Sequence, residues 1–264
     1  ADVTRTPRIQ LVVDGSHRVP ASYALSVARE TVSGFVAGRA AELAAGQAVA
    51  LPIDLRIAVR FNPAFDVRFF TVPAQVGFIV YQVTLTIASI GLARERELGT
   101  LEQLMVMPLR RLELVIGKAI PALVIGALNF TLMLGVAVFS FGVPVRGSLA
   151  LLFTLTLLFV VAEIGYGIFI SSIARTQQQA ILLVFVLAMV DMTFSGFLVQ
   201  VKNLPVALQA IAQMVPFRHY LTIVRGVMLK GAGLDALWPH AVAMLLMGLL
   251  VTTVAVRNLS RSLD

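Results

Sequence analysis

The sequence predicts a mainly α-helical, polytopic membrane bundle of about five spans, with a small α/β extracytoplasmic segment at its N-terminus. Three observations carry that prediction. Of the 264 residues, 58% are hydrophobic and 13% charged, against about half and a quarter in soluble domains, and the mean hydropathy is +0.90. Five stretches stay apolar over the length that a bilayer demands. Residues 1–70, by contrast, alternate apolar and polar side chains.

In the segment 1–70, Ile53, Leu55, Ile57, Val59 and Phe61 alternate with Asp54, Arg56, Arg60 and Asn62. That period of two belongs to a half-buried strand. Ile9, Leu11 and Val13 form a shorter strand of the same kind, ended by the turn dipeptide Asp14-Gly15. Between them, Ala21 to Ala45 carries Leu25, Ala28, Val32 and Phe35 at helical spacing, with Pro20 near the start. Strand, helix, strand is the order of a small water-facing α/β unit. No signal peptide precedes the first polar segment, so a further membrane span upstream is expected to carry this unit across.

The spans follow. A helix needs about 20 residues to cross the hydrocarbon. Thr71–Ala93 and Ala119–Val145 carry no charge. Gly147–Ala174 carries only Glu163, and Thr176–Val201 only Asp191. Ala236–Val256 is uncharged, with His240 near its start. Buried helices of a soluble protein seldom run so long without a polar face, and the chain lacks the polar residues to cover five of them.

The net charge of +7 does not point to nucleic acid, because the basic residues are scattered and no Lys/Arg run interleaves with aromatics. In a membrane protein such residues set topology. With residues 1–70 outside, the inner side holds Arg94, Arg96, Arg110, Arg111, Lys118, Arg175, Arg257 and Arg261, and the two outer loops hold Arg146, Lys202, Arg218, Arg225 and Lys230. The arginines of residues 1–70 reverse that bias if they count as a tail, and drop out if they belong to a translocated domain. Charge alone therefore leaves the orientation open. The absence of cysteine excludes disulfides and thiolate metal sites. His17, His219 and His240 lie too far apart in sequence to suggest a metal site by spacing.

The loop between the first two spans, residues 94–118, is the most informative stretch. Leu98, Leu101 and Met105 share one face of a short helix, with Glu95 and Glu97 placed in its first turn, where carboxylates suit the helix dipole. Pro108 ends it, and Leu109, Leu112 and Ile116 begin a second amphipathic turn. Such a helix lies at the membrane surface, either as an anchor or as a docking element for a cytoplasmic partner. The spacing does not choose between the two.

The pattern Glu95, Glu97, Gly99, Thr100, Glu102, Leu104, Pro108, Glu113, Gly117 and Lys118 resembles the ABC-2 type permease family, in its drug-exporter-like branch. Three further stretches resemble the same branch. They are Phe61-Asn62-Pro63 with Arg68-Phe69 and Pro73; Ala174-Arg175-Thr176-Gln177-Gln178-Gln179; and Ser195-Gly196-Phe197 with Asn203, Pro205, Pro216, Tyr220 and Arg225-Gly226. The resemblance covers about residues 60–264. It implies an extracytoplasmic domain over residues 1–70 and a transmembrane domain over residues 71–264, with an inner coupling helix at 94–118 and an outer re-entrant segment at 195–235. Members usually have six spans, so the resemblance too places one span ahead of residue 1. This chain departs from the family at Gln200, where a proline is usual, at Lys202, where an acid is usual, and at Glu163.

The resemblance implies the permease subunit of an ABC exporter in the bacterial inner membrane, moving a lipophilic or drug-like cargo. ATP and Mg would be bound by a separate ABC ATPase subunit that docks on Glu95, Glu97, Gly99, Thr100, Glu102 and Pro108. A second permease chain and a periplasmic adaptor complete the candidate partners beside the lipid bilayer. The residues themselves show no catalytic site. Gly117-Lys118 lacks the glycine five residues earlier and the following Ser/Thr of a P-loop. Two alternatives remain: a gradient-driven secondary transporter using Glu163 and Asp191, and a non-transporting membrane sensor. The two acids sit in spans, where a charge costs about 2.5–3.5 kcal/mol. Each either hydrogen-bonds a neighbouring helix, through Tyr166, Thr193 or Ser195, or joins the other as a proton-linked or cargo-contacting pair. Packing is the simpler reading.

Overall fold

The computed structural model describes residues 8–14, 18–44, 54–62, 66–100, 111–198 and 200–261. The chain divides into two compact units, Ala1–Phe70 and Thr71–Asp264.

In the first unit, β1 (Arg8–Asp14) and β2 (Asp54–Arg60) pair in parallel around α1 (Arg18–Ala44). A parallel pair needs a crossover, and the helix supplies it. The register sets Leu11 opposite Ile57 and Val13 opposite Val59. Leu11, Ile57 and Val59 pack on Val13, Ala21 and Leu25, so the alternation read from the sequence is the face that meets the helix. The helical stripe differs in one residue. Phe35 is 59% exposed, and half-buried Val36 continues the stripe instead. At 100° per residue, Val36 lies about 20° from Leu25 and Phe35 about 80° away.

Asp66 starts the next helix, α2 (Val67–Glu97). Its Oδ1 accepts from the Arg68 backbone N–H at 2.9 Å and its Oδ2 from the Arg68 guanidinium, which is an N-cap with a returning charge. The Arg68 hydrogen bonds hold the Asp66 carboxyl below the usual aspartate range. The buried Asn62 brackets Asp66, accepting from its N–H and donating to its carbonyl, each at 2.9 Å.

The second unit continues with α3 (Arg111–Gly135), which ends in a π turn at Val136–Ser140, then α4 (Leu149–Ile173) and α5 (Gln177–Phe194). A 3-10 turn (Val201–Asn203), α6 (Val206–Ala212), α7 (Pro216–Arg225), a second π turn (Gly226–Lys230) and α8 (Leu234–Arg261) complete it. Among the described residues, α2, α3 with its π turn, α4, α5 and α8 are long and apolar enough to cross a membrane. Those are the five expected spans. Their ends differ from the hydropathy limits. The fourth stops at Phe194 rather than Val201, with Gly196 just beyond it at a positive φ of 85°. The second stops at Ser140 rather than Val145, shortly before Gly142 at φ 64°. Hydropathy reads solubility in lipid and does not see a left-handed residue that stops a helix.

Two of the spans are enclosed and three form the perimeter. The central windows of α2 and α4 are 56% and 50% buried, against 22% for α3, 22% for α5 and 17% for α8. Small residues let the enclosed helices approach their neighbours closely, as membrane helices do without a hydrophobic drive between them. A Cβ added to Gly248 of α8 would lie 2.8 Å from the Ala162 Cβ and 2.9 Å from its Cα on α4. Gly165 meets Thr252, Gly167 meets Ala88 of α2, and Gly126 of α3 meets Val160.

Candidate functional site

The sequence places Glu95 and Glu97 in the first turn of a new helix. They occupy the last turn of α2 instead. The reason is Gly99, whose φ of 72° is the left-handed conformation that terminates helices. Its N–H bonds to the Arg96 carbonyl at 3.2 Å, and the Thr100 N–H to the Glu95 carbonyl at 3.0 Å. This pair of bonds is a Schellman stop. Leu98 lies just inside it, 62% exposed. Glu102, Leu104, Met105 and Pro108 lie outside the described residues.

A carboxylate at a helix C-terminus opposes the dipole, and both acids are answered by neighbours. Glu95 Oε1 accepts from Lys118 Nζ of α3 at 2.6 Å, and Oε2 accepts from the Thr100 hydroxyl. Glu97 Oε2 accepts from the Gln177 backbone N–H at 2.9 Å and from its side-chain amide at 3.1 Å, at the first turn of α5. Arg96 Nη1 donates to the carbonyls of Ser172 (3.2 Å) and Ala174 (2.6 Å), which end α4. The buried Ser171 Oγ accepts from the N–H groups of Leu92 and Ala93 at 2.9 Å each. One end of α2 is thereby fastened to the start of α3, the end of α4 and the start of α5. Of these partners, sequence reasoning named Lys118 and Gln177 as parts of patterns and Arg96 and Lys118 as inner-side charges, and did not name Ser171. They lie 23 to about 80 residues from their partners, and nothing local signals such pairs.

The residues named in the outer segment also converge. Arg225 Nη1 donates to the Gly196 carbonyl at 3.1 Å, and Ser195 Oγ accepts from the Phe197 N–H. The Pro205 carbonyl accepts the first N–H groups of α6, and Pro216 opens α7 at a position that needs no donor. The Tyr220 hydroxyl lies 3.1 Å from Thr156 Oγ1 of α4, with its ring stacked on Phe159 at 3.9 Å between centroids. Gly77 of α2 lies flat against Phe217 and Tyr220. Two histidines whose sequence spacing suggests no metal site come together: His219 Nδ1 and His240 Nδ1 are 3.0 Å apart, and His219 Nε2 is 2.9 Å from the Gln213 carbonyl. Among the described residues, no group of three His, Cys, Asp or Glu is placed to hold a metal ion.

The two span acids are both inside, with Glu163 1% and Asp191 6% exposed. They lie within electrostatic range of each other, and both reach Tyr81 and Tyr166. Two of the three hydrogen-bonding partners expected from sequence are engaged elsewhere. The Thr193 hydroxyl donates to the Met189 carbonyl and the Ser195 hydroxyl to the Met192 carbonyl, both in their own helix. Short hydroxyl side chains in helices bond back to the preceding turn.

The profile of the ABC-2 family transporter proteins matches residues 2–257. This chain belongs to the ABC-2 transporter family. Among its relatives are two proteins of Escherichia coli (strain K12) described as probable multidrug ABC transporter permeases. YbhR is 34% identical over 237 residues, which is 90% of this chain and 63% of the relative. YbhS is 32% identical over 235 residues, 86% of this chain and 60% of the relative. The inner membrane transport permease YhhJ of the same organism is 27% identical over 98% of this chain and 69% of the relative. This ABC-2 chain thus spans somewhat under two thirds of the length of the first two relatives.

Proposed function

We propose that this chain is the membrane part of an ABC exporter permease, which moves lipophilic or drug-like cargo outward across a bacterial inner membrane. ATP and Mg belong on a separate ATPase subunit, two permease chains pair, and residues 1–70 form the extracytoplasmic unit. An adaptor on the outer side fits the same scheme. The observation that carries the reading is the fastening at the end of α2. The segment between α2 and α3 is framed by the Glu95–Lys118 ion pair and by the bonds of Arg96 and Glu97 to the turn between α4 and α5. A push on that segment reaches four spans at once, which is what docking of an ATPase requires and what a passive anchor does not. The family and the description of its relatives as multidrug permeases support the same reading.

The test is ATP-dependent drug accumulation in inverted vesicles holding the full-length permease and its ATPase. Glu95→Lys, alone or with Glu102→Lys, leaves insertion intact and uncouples hydrolysis from accumulation. Combining Glu95→Lys with Lys118→Glu restores the 2.6 Å pair in reversed sense and recovers at least part of the coupling. Normal accumulation in the Glu95→Lys, Glu102→Lys double variant counts against the reading.

A further inference from the structure

An apolar groove of about 390 Å³ opens between α4, α5 and α8. It runs from Tyr166 to Ile173 along α4, flanked by Leu183 and Val190 of α5 and by Leu250 and Val254 of α8. Ile173, Leu250 and Val254 are exposed, so the groove is open on its outer side. The stretch of α4 that lines it rises about 10 Å, most of the depth of one leaflet, which is half of a hydrocarbon core about 30 Å thick. Ile173 is the last residue of α4, so the groove lies in a single leaflet, the one on the side of the Arg96 bonds. Charge at that end is a second, independent observation. Arg175 follows Ile173 by two residues, and Arg257 shares a face of α8 with Leu250 two turns before it. Both arginines are exposed. Arg96, bonded to the Ser172 and Ala174 carbonyls, is a third cation beside Ile173. No Asp or Glu occurs from Ile164 to Val190 or from Leu245 to Arg261. The Glu97 carboxylate reaches this end from α2 and accepts from the backbone and side-chain N–H groups of Gln177. The groove thus has a hydrocarbon floor and a cationic rim.

From the spans alone, and not from the exporter reading, we infer that this groove, with Arg175 and Arg257, seats one anionic phospholipid of the leaflet on the Arg96 side. One hydrocarbon chain lies along the groove, and the phosphate head meets the arginines. The wall selects the chain. A drug-like ligand is oriented by a few placed polar groups, and Tyr166 has the one polar side chain among the lining residues. A hydrocarbon chain needs none and gains by close contact along its length. The rim selects the head. A guanidinium grips a phosphate through paired N–H bonds, while a zwitterionic head brings its own cation to the arginines. A second copy of the chain fits less well. Twofold pairing through this face brings Arg175 and Arg257 of both copies to one level, which sets four like charges at the edge of the contact.

The experiment photolabels the full-length permease in phosphatidylcholine nanodiscs. One probe is phosphatidylglycerol with a diazirine midway along one chain; the other is phosphatidylcholine with the same chains. Labelled positions are mapped by mass spectrometry. Phosphatidylglycerol is expected to mark residues 183–190 and 250–254 more strongly than the exposed Ile120 and Val124 of α3. Arg175→Gln and Arg257→Gln each lower that labelling about fivefold, the effect of one cation at an anionic surface, and leave the phosphatidylcholine label within about twofold. Val254→Trp, which fills the groove and keeps both arginines, lowers the label in the groove and spares that on α3. Equal phosphatidylglycerol labelling of the groove and α3 overturns the inference, because the lipid is then a passing neighbour. So does a groove that takes both lipids alike, or one whose labelling ignores both arginine variants. A groove that neither lipid marks, while both mark α3, is filled by protein and overturns it as well. Since labelling is read without ATP, a permease that seats the lipid but exports nothing loses the exporter reading alone.

Discussion

At the scale of single residues, the histidine pair shows how geometry places a hydrogen. His219 Nε2 faces a carbonyl at 2.9 Å, and a carbonyl only accepts, so that nitrogen carries the hydrogen. Neutral His219 then has a bare Nδ1, which accepts from the Nδ1–H of His240 at 3.0 Å. A proton added to His219 makes its Nδ1 a donor and requires His240 to move its own hydrogen to Nε2. Burial holds the His219 imidazole below its ordinary value; the Gln213 carbonyl opposes that shift and the Arg218 charge adds to it. The unfolded ring titrates near 6.5. Between that value and the lowered folded one the unfolded chain binds the proton, so stability falls as the pH drops through this window, by up to about 1.4 kcal/mol per pH unit. The opening free energy of residues 206–225, from hydrogen exchange corrected for the intrinsic pH dependence of amide exchange, is expected to fall as the pH drops below about 6.5, and His219→Gln to flatten that dependence. The pair was illegible in the sequence because it joins two segments 21 residues apart across a loop and a π turn, and no periodicity records such a meeting.

At the scale of elements, the sequence was legible where a repeat is physical. Alternation at 53–61 gave β2, and apolar length gave five spans. It misled at the end of α2, where Glu95 and Glu97 satisfy the rule for a helix start and yet close one. The rule assumes that nothing nearby answers a misplaced charge, and Lys118 and Gln177 answer it from other helices. Gly99 makes the stop. Among the described residues, no atom lies within 4 Å of a Cβ built there, and a side chain at this position meets the backbone penalty of the left-handed region, about 1–2 kcal/mol. Gly99→Val is expected to fray the junction, lowering ATPase coupling and the melting temperature while insertion persists. Gly99→Asn, which tolerates that conformation, is expected to keep most of both.

For the molecule as a whole, the consequence of the contact between α4 and α8 is mechanical. Gly248 sits against the backbone of Ala162, and Gly165 against Thr252. With only the short Thr252 side chain and the Ala162 methyl between them, the two helices are expected to move as one beam. One end of α4 lies at the Arg96 bonds, and the Tyr220 ring stacks on its middle, at Phe159. If an ATPase docks at the Arg96 end, as proposed, its stroke is expected to travel along this helix pair, with play left to the thinly buried α3 and α5. The chain has no cysteine, so spin labels can be attached at will. Labels at Phe153 and Leu246, both on exposed faces, are expected to keep one separation through the nucleotide cycle, while a pair joining α4 to α5 changes. A shifting distance between Phe153 and Leu246 means that the beam is hinged.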